Sequence, residues 1–364
     1  MRNTKIYQCG LSIVELMVAL TIGLIILGAI AFVFLAQTRS YKTTNTQATI
    51  QSSENAIADI LTPAIRVAGY LGCSDIVGSG TTSMLVPSGS APLGTIMADT
   101  NPRMLMGYEG SSGSALSITP NAANDNNTGD WSPTLDTTLA GLVEYGSDVV
   151  VVLGPVPGSL PIDISNAVAG SKTVTLKNIP TNMTINAGQF AGISDGLKSI
   201  IFLIKGVTGN IISLASGSGP MTNSAAGLLN SYSDSSQFIP LQQTAFFVAQ
   251  QPNGGQSALM TTTVNGNTWT TPQALVPGVD AMQVLYGIGA NGIVKQYVQA
   301  NAVTDWSQVY IVRLGFLIEG QIGSGGGVGT TTFTVLGTTV TVPLDTRLRH
   351  VYEMTISLRN APPL

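Results

Sequence analysis

Charge is what this sequence has least of. Its 364 residues include 15 Lys and Arg, 19 Asp and Glu, and a single His. Charged residues make up 9% of the chain, against about 25% in an ordinary soluble domain. A net charge of −4 and a pI near 4.9 exclude nucleic-acid binding through an electrostatic footprint, which needs clustered cations to neutralise phosphates. One His and two Cys, Cys9 and Cys73, exclude most metal and haem chemistry. Hydrophobic residues, by contrast, reach 44%, with 41 Gly, so the chain is neither disordered nor a charged coiled coil. Its length allows one large domain or two small ones with ample core.

The N-terminus carries the strongest pattern. Residues 1–10 are short and polar, with Arg2 and Lys5 and no acid, and an apolar run follows. No charge occurs from Leu16 to Ala36, about 21 residues. As a helix that run spans roughly 31 Å, the thickness of a bilayer's hydrocarbon core. Basic residues before it place the leader in the cytoplasm and the remainder outside. The run is too long for the core of a cleavable secretory signal. Cys9 precedes the run, which argues against lipoprotein processing.

Glu15 is out of place in a plain anchor. It sits at the entrance of the apolar stretch, where an acid costs about 2.5–3.5 kcal/mol if carried to mid-bilayer. Reaching headgroup water is one account of it; a cationic partner is the other. No Lys or Arg lies between Glu15 and Arg39, but cleavage after Gly10 would expose the amine of Leu11 four residues away.

The stretch Gly10-Leu11-Ser12-Ile13-Val14-Glu15-Leu16 resembles the class III signal of type IV prepilins, with Leu11 where most pilins carry Phe. The resemblance implies that a membrane-embedded peptidase cuts after Gly10 and methylates Leu11. It also implies that Glu15 pairs with the N-terminal amine of a neighbouring subunit in a filament. Physically, helix packing in an apolar medium is nearly neutral between lipid and Leu, so a polar pair is what can set register. An unpaired charge penalises every other placement.

Beyond the run the chain turns polar, yet Ile50, Ile57, Ile60, Leu61, Ala64, Ala68 and Leu71 recur at helical intervals. That spacing predicts an amphipathic helix over 37–72, interrupted or kinked near Thr62 by Pro63 and closed by Gly69 and Gly72. Ile65-Arg66-Val67-Ala68-Gly69-Tyr70-Leu71-Gly72-Cys73 resembles the PilW family of minor pilins. So do Gly146-Ser147-Asp148-Val149-Val150, the run from Gly278 to Gly287, Arg347 to Tyr352, and Thr355 to Asn360.

The remainder reads as β structure. Runs rich in Val, Ile and Thr predict strands at 148–153, 199–207, 210–214, 244–249, 279–288, 308–318, 330–335, 338–342 and 350–358. Leu336-Gly337 marks a hairpin turn. Residues 78–90, 110–130 and 320–329 read as linkers. The fold class expected is α+β: a long N-terminal helical spine, apolar then amphipathic, followed by a large β-rich, pilin-like head. Its divisions are a leader over 1–10, an apolar helix over 11–36, an amphipathic helix over 37–72 and a head over 73–364.

Catalytic chemistry finds little support. The glycines at 323–329 lack the Lys-Ser/Thr ending of a phosphate loop and read as a flexible hairpin loop. His350 stands without a nucleophile motif and reads as a strand-surface residue. Asp125, Asn127 and Asp130 offer oxygen ligands at spacings faintly like a calcium loop, out of order for an EF-hand. Met104 and Met106 read as packing. Losing the leader leaves 13 basic against 19 acidic residues, a formal charge of −6, and Cys73 as the one cysteine. Cys73 reads as a buried thiol or as half of a disulfide to another subunit.

The resemblance implies a non-enzymatic minor pilin without cofactor, held in the bacterial inner membrane with its head in the periplasm and then in the pilus. Its implied partners are other minor pilins, the major pilin, a prepilin peptidase and a tip adhesin. A pseudopilin of a type II secretion system shares the leader, Glu15 and spine. A membrane-tethered enzyme or binding domain is the third reading.

Overall fold

The computed structural model describes residues 12–72, 80–87, 94–97, 102–110, 115–119, 127–217, 221–251, 256–265, 268–325 and 331–361. One helix, α1, runs from Ile13 to Arg66. Its 54 residues extend about 80 Å. Ser12 starts it: the Ser12 hydroxyl accepts from the Val14 N–H (3.3 Å), and the Glu15 carboxylate accepts from the Ser12 N–H (3.1 Å). This reciprocal capping box satisfies donors that a helix end leaves open.

The helix has two unlike halves. Its apolar first half is exposed throughout, with Leu24 and Phe32 each 75% exposed. Burial starts at Thr46 and continues through Ile50, Ile57, Leu61 and Ile65. Each fully buried Ile or Leu contributes about 1.5–3 kcal/mol relative to exposure, so this stripe fixes the head to the helix.

The helix continues through Pro63 to Arg66 rather than breaking near Thr62. Pro63 falls in the last turn, where it removes one N–H, while Leu61 and Ile65 on either side are fully buried. Residues 67–72 then form the exit turn instead of further helix. Gly69 and Gly72 adopt φ of 79° and 90°, a region that a Cβ disfavours.

The head is β-rich. Gln237–Gln250, a 14-residue strand, organises the larger sheet. Its first half pairs antiparallel with Phe190–Ser194 and Ile162–Asn166, its second with Ser257–Asn265, and Val149–Pro155 flanks its middle. A second, four-stranded antiparallel sheet runs in the order Ile293–Val298, Val279–Ala290, Val309–Glu319, Arg349–Ser357. The expected hairpin forms between Thr332–Val335 and Thr338–Thr341, with Leu336 and Gly337 at φ of 48° and 90°.

Two expected linkers contain strands. Gly80–Ser83 pairs in parallel with Lys198–Leu203, Leu85–Pro87 pairs with Met221–Asn223, and Ala115–Ser117 pairs with the hairpin. These three- and four-residue segments are extended because a partner strand satisfies their backbone groups. Ile162–Asn166, Thr173–Leu176, Phe190–Ser194, Ser257–Asn265 and Gln273–Pro277 are further strands that the sequence reading passed over.

The main core joins the two parts of the molecule. Ile57, Leu61 and Ile65 belong to the same buried cluster as Val149 to Leu153, Phe247, Met282 and Phe316. Met104 and Met106 are in it too, as packing residues. A separate cluster around Phe202, Phe238 and Ile212 fills the other end of the large sheet.

Candidate functional site

The membrane-level end of the spine comes first. Gly10 and Leu11, the expected cleavage and methylation positions, lie outside the described residues. Glu15 is described, and its carboxylate reaches back to the Ser12 N–H. The acid therefore stands at the entrance of the helix, beside the backbone that follows Leu11. There it satisfies a helix-end donor and lies where the N-terminal helix dipole favours a negative charge. The Ser12-x-x-Glu15 spacing is the sequence signature of a capping box, which gives the acid a local backbone partner besides any cation.

At the other end, the exit of the spine is stitched to the head. The Gly69 N–H donates to the Leu153 carbonyl (2.7 Å), and the Arg359 N–H donates to the Arg66 carbonyl (3.0 Å). The Asn360 side-chain amide donates to the Ala68 carbonyl (2.9 Å). Halfway up the packed half, His350 Nδ1 lies 2.7 Å from Glu54 Oε1, with the imidazole on the strand surface as expected. Segments around residues 66–69, 153, 350 and 360 are remote in sequence, and the helix brings them together.

A collar of head loops meets one face of the spine where burial begins. The Thr43 hydroxyl donates to the Ser324 carbonyl (3.2 Å), and a Cβ at Gly320 would run into the Thr46 methyl. Gly323 and Gly325 N–H groups both donate to the Thr346 carbonyl (3.1 and 2.8 Å). The described part of the glycine-rich stretch is thus tied down rather than a free loop.

Behind the collar lies an ionic cluster of five residues. Arg349 donates to Asp280 (2.7 Å) and with two nitrogens to Asp345 (2.6 and 2.8 Å). Arg347 donates to Glu319 (2.5 Å). Side chains of Asp280 and Glu319 have no solvent exposure, and that of Arg349 has 2%. Burial pushes the Glu319 carboxyl up to about 8, and the neighbouring Asp280 adds to the rise. Burial also raises Asp280, against the pull of Arg349. Hydrogen bonds from Arg349 hold Asp345 below its ordinary value. Two arginines serve three acids here, and such a cluster is costly to break because each survivor is left charged in a dry interior.

Asp148 forms a second hub. Its carboxylate accepts the Gly110 N–H (2.9 Å) and the Val284 N–H (2.7 Å), tying the large sheet to the four-stranded one. Burial, then the nearby Glu109, raises it well above its ordinary value. Ser147 accepts the indole N–H of Trp131 through its carbonyl (2.9 Å) and the Val248 N–H through its hydroxyl (3.1 Å). The Gly146–Val150 and Gly278–Gly287 segments therefore meet as structural joints.

Two of the three weak calcium candidates, Asn127 and Asp130, are among the described residues. Asp125 lies outside the described residues. The Asn127 amide donates to Asp130 (2.8 Å) while its oxygen caps the short turn Thr128–Asp130 through the Gly129 N–H (3.3 Å). Among the described residues no group of three or more His, Cys, Asp or Glu could hold a metal ion. Cys73 lies outside the described residues as well.

The described residues form a long, initially apolar N-terminal helix that runs into a β-rich globular head. Residues 245–360, about a third of the chain, match the model of the family described as type IV pilus-assembly protein W, PilW. The matched stretch holds the whole four-stranded sheet, both collar loops and the ionic cluster. No curated protein sequence matches the chain. Among solved structures, a type IV-like pilin from Thermus thermophilus is similar at 21% identity and a TM-score of 0.22, covering 34% of this chain and 68% of that one.

Proposed function

We propose that this chain is a minor pilin of a type IV pilus, acting in pilus initiation and located at the tip with other minor pilins. In this reading a prepilin peptidase removes residues 1–10 and methylates Leu11. Residues 11–36 hold the protein in the inner membrane with its head in the periplasm, and later pack in the filament. Glu15 pairs with the N-terminal amine of an adjoining subunit, exchanging its bond to the Ser12 N–H for a full charge.

One observation carries the reading: a single helix offers an apolar surface on all sides for about half its length and is built into the head's core for the rest. Such a protomer must find apolar surroundings for its first half, and a bilayer or a bundle of like helices provides them. The bulk of the head supports a tip position over side-by-side repetition along a fibre. Other minor pilins, the major pilin and a tip adhesin are the partners this position calls for.

Mass spectrometry of protein recovered from cells tests it. A methylated Leu11 N-terminus is expected, and Gly10→Val should retain Met1; intact Met1 in the wild-type protein would overturn the reading. Deleting the gene should remove surface fibres. Loss of protein export with fibres intact would assign the chain to a secretion system instead.

A further inference from the structure

The collar exposes apolar side chains at a height that the spine determines. Ile322 and Leu344 are 71% and 70% exposed, on the two loops joined through Gly323 and Thr346. Isolated exposed apolar residues need no explanation. These two share their level with a second group. A Cβ at Gly323 would lie 4.0 Å from Lys42 Nζ, and Thr43 bonds the next residue of the loop, Ser324. Arg39 and Lys42 are the only charged residues between Glu15 and Glu54, and Tyr41 between them is 73% exposed.

The distances fit a bilayer surface. Lys42 lies six residues beyond Ala36, about 9 Å along the helix. A headgroup layer adds about 5–7 Å on each side of the hydrocarbon core. With the apolar run spanning that core, the collar rests at the outer edge of the headgroups. An aromatic residue flanked by cations beside a span is the composition of an interfacial anchor, and the cations complement anionic lipid.

We propose that Ile322 and Leu344, together with Arg39, Tyr41 and Lys42, form a docking surface for the lipid–water interface. The head sits on it before the protomer leaves the bilayer. This inference rests on the reading of the apolar run as a membrane span. Docking through the spine and the two loops beside it holds the head at one height and tilt, and withdrawal from the membrane must release these contacts.

Tryptophan quenching on the full chain tests it, in vesicles of phosphatidylethanolamine and phosphatidylglycerol with brominated acyl chains. The variants are Ile322→Trp, Leu344→Trp, and Leu197→Trp, which lies in an exposed turn of the large sheet. The unsubstituted protein supplies the background of its own tryptophans. Quenching at 322 and 344 at least about twofold above that at 197, and reduced by Arg39→Gln with Lys42→Gln, supports the surface. Phe32→Trp reports the span independently. Strong quenching at 32 with none above the control at 322 and 344 overturns the docking surface alone. No quenching at 32 overturns the spanning reading and the surface with it. Blue-shifted emission at 322 that grows with protein-to-lipid ratio, without quenching, makes a second copy the occupant and also overturns the proposal.

Discussion

The two halves of the spine helix share one backbone and differ in everything that surrounds it. From Ile13 to the middle of the helix, apolar side chains face outward on every side and none is buried. From Thr46 to Ile65, one stripe is buried and the other faces are polar. Helix propensity does not separate the halves; the partner does. The second half has its partner within the same chain, whereas the first is complete only with lipid or other helices. A helix can thus be half folded domain and half unsatisfied surface without a break in its hydrogen bonds.

Several substitutions sharpen that contrast. Arg349→Ala should have the largest effect, about 3–5 kcal/mol in chemical denaturation of the head, because it strands Asp280 in the interior behind the collar, while Glu319 keeps Arg347. Leu61→Ala should cost about 2–5 kcal/mol, through lost burial and the cavity left behind. Leu24→Ala in the exposed half should leave the same unfolding curve unmoved; equal losses at both positions would mean that the two halves are not differently partnered.

Acidity acts on the boundary between the halves. Glu319 titrates near 8 in the folded head against an ordinary 4.5, so the folded state binds the extra proton between those values. Stability is therefore fullest below about 4.5 and falls as pH rises through about 8, on the order of a few kcal/mol for this group. Denaturation midpoints measured across that window should decline, and Glu319→Gln should flatten the decline. The smallest effect belongs to His350→Ala. Its contact with Glu54 is a surface pair with the imidazole 60% exposed, worth under about 1 kcal/mol in a thermal melt.

The spine was legible in the sequence because its two patterns are long: an uncharged run that matches a bilayer, then apolar residues at helical spacing. Ile65 was missing from that helical stripe although it is fully buried, and burial on both sides of Pro63 carries the helix unbroken to Arg66. Short strands such as Thr173–Leu176 and Met221–Asn223 were hidden for a different reason. Three or four residues hold too little alternation to identify, and their conformation comes from a neighbour across the sheet. The ionic cluster was half visible: Asp280 and Arg349 both lie in segments that resemble the PilW family. Nothing in a linear reading joins residues 69 positions apart, or adds Glu319 to them. At the N-terminus, Glu15 was legible as an anomaly, while its bond to the Ser12 N–H follows from the local Ser12-x-x-Glu15 spacing.

The stitched exit turn bears on mechanics. Bonds involving Gly69, Arg359 and Asn360 close the helix end onto the Val149–Pro155 strand and onto the turn that follows Arg349–Ser357, and Ile57, Leu61 and Ile65 are buried in the same core. There is no hinge between shaft and head among these contacts. In the role proposed above, tension applied to the apolar half is delivered straight into the β-sheets, and the protomer moves as one rigid lever.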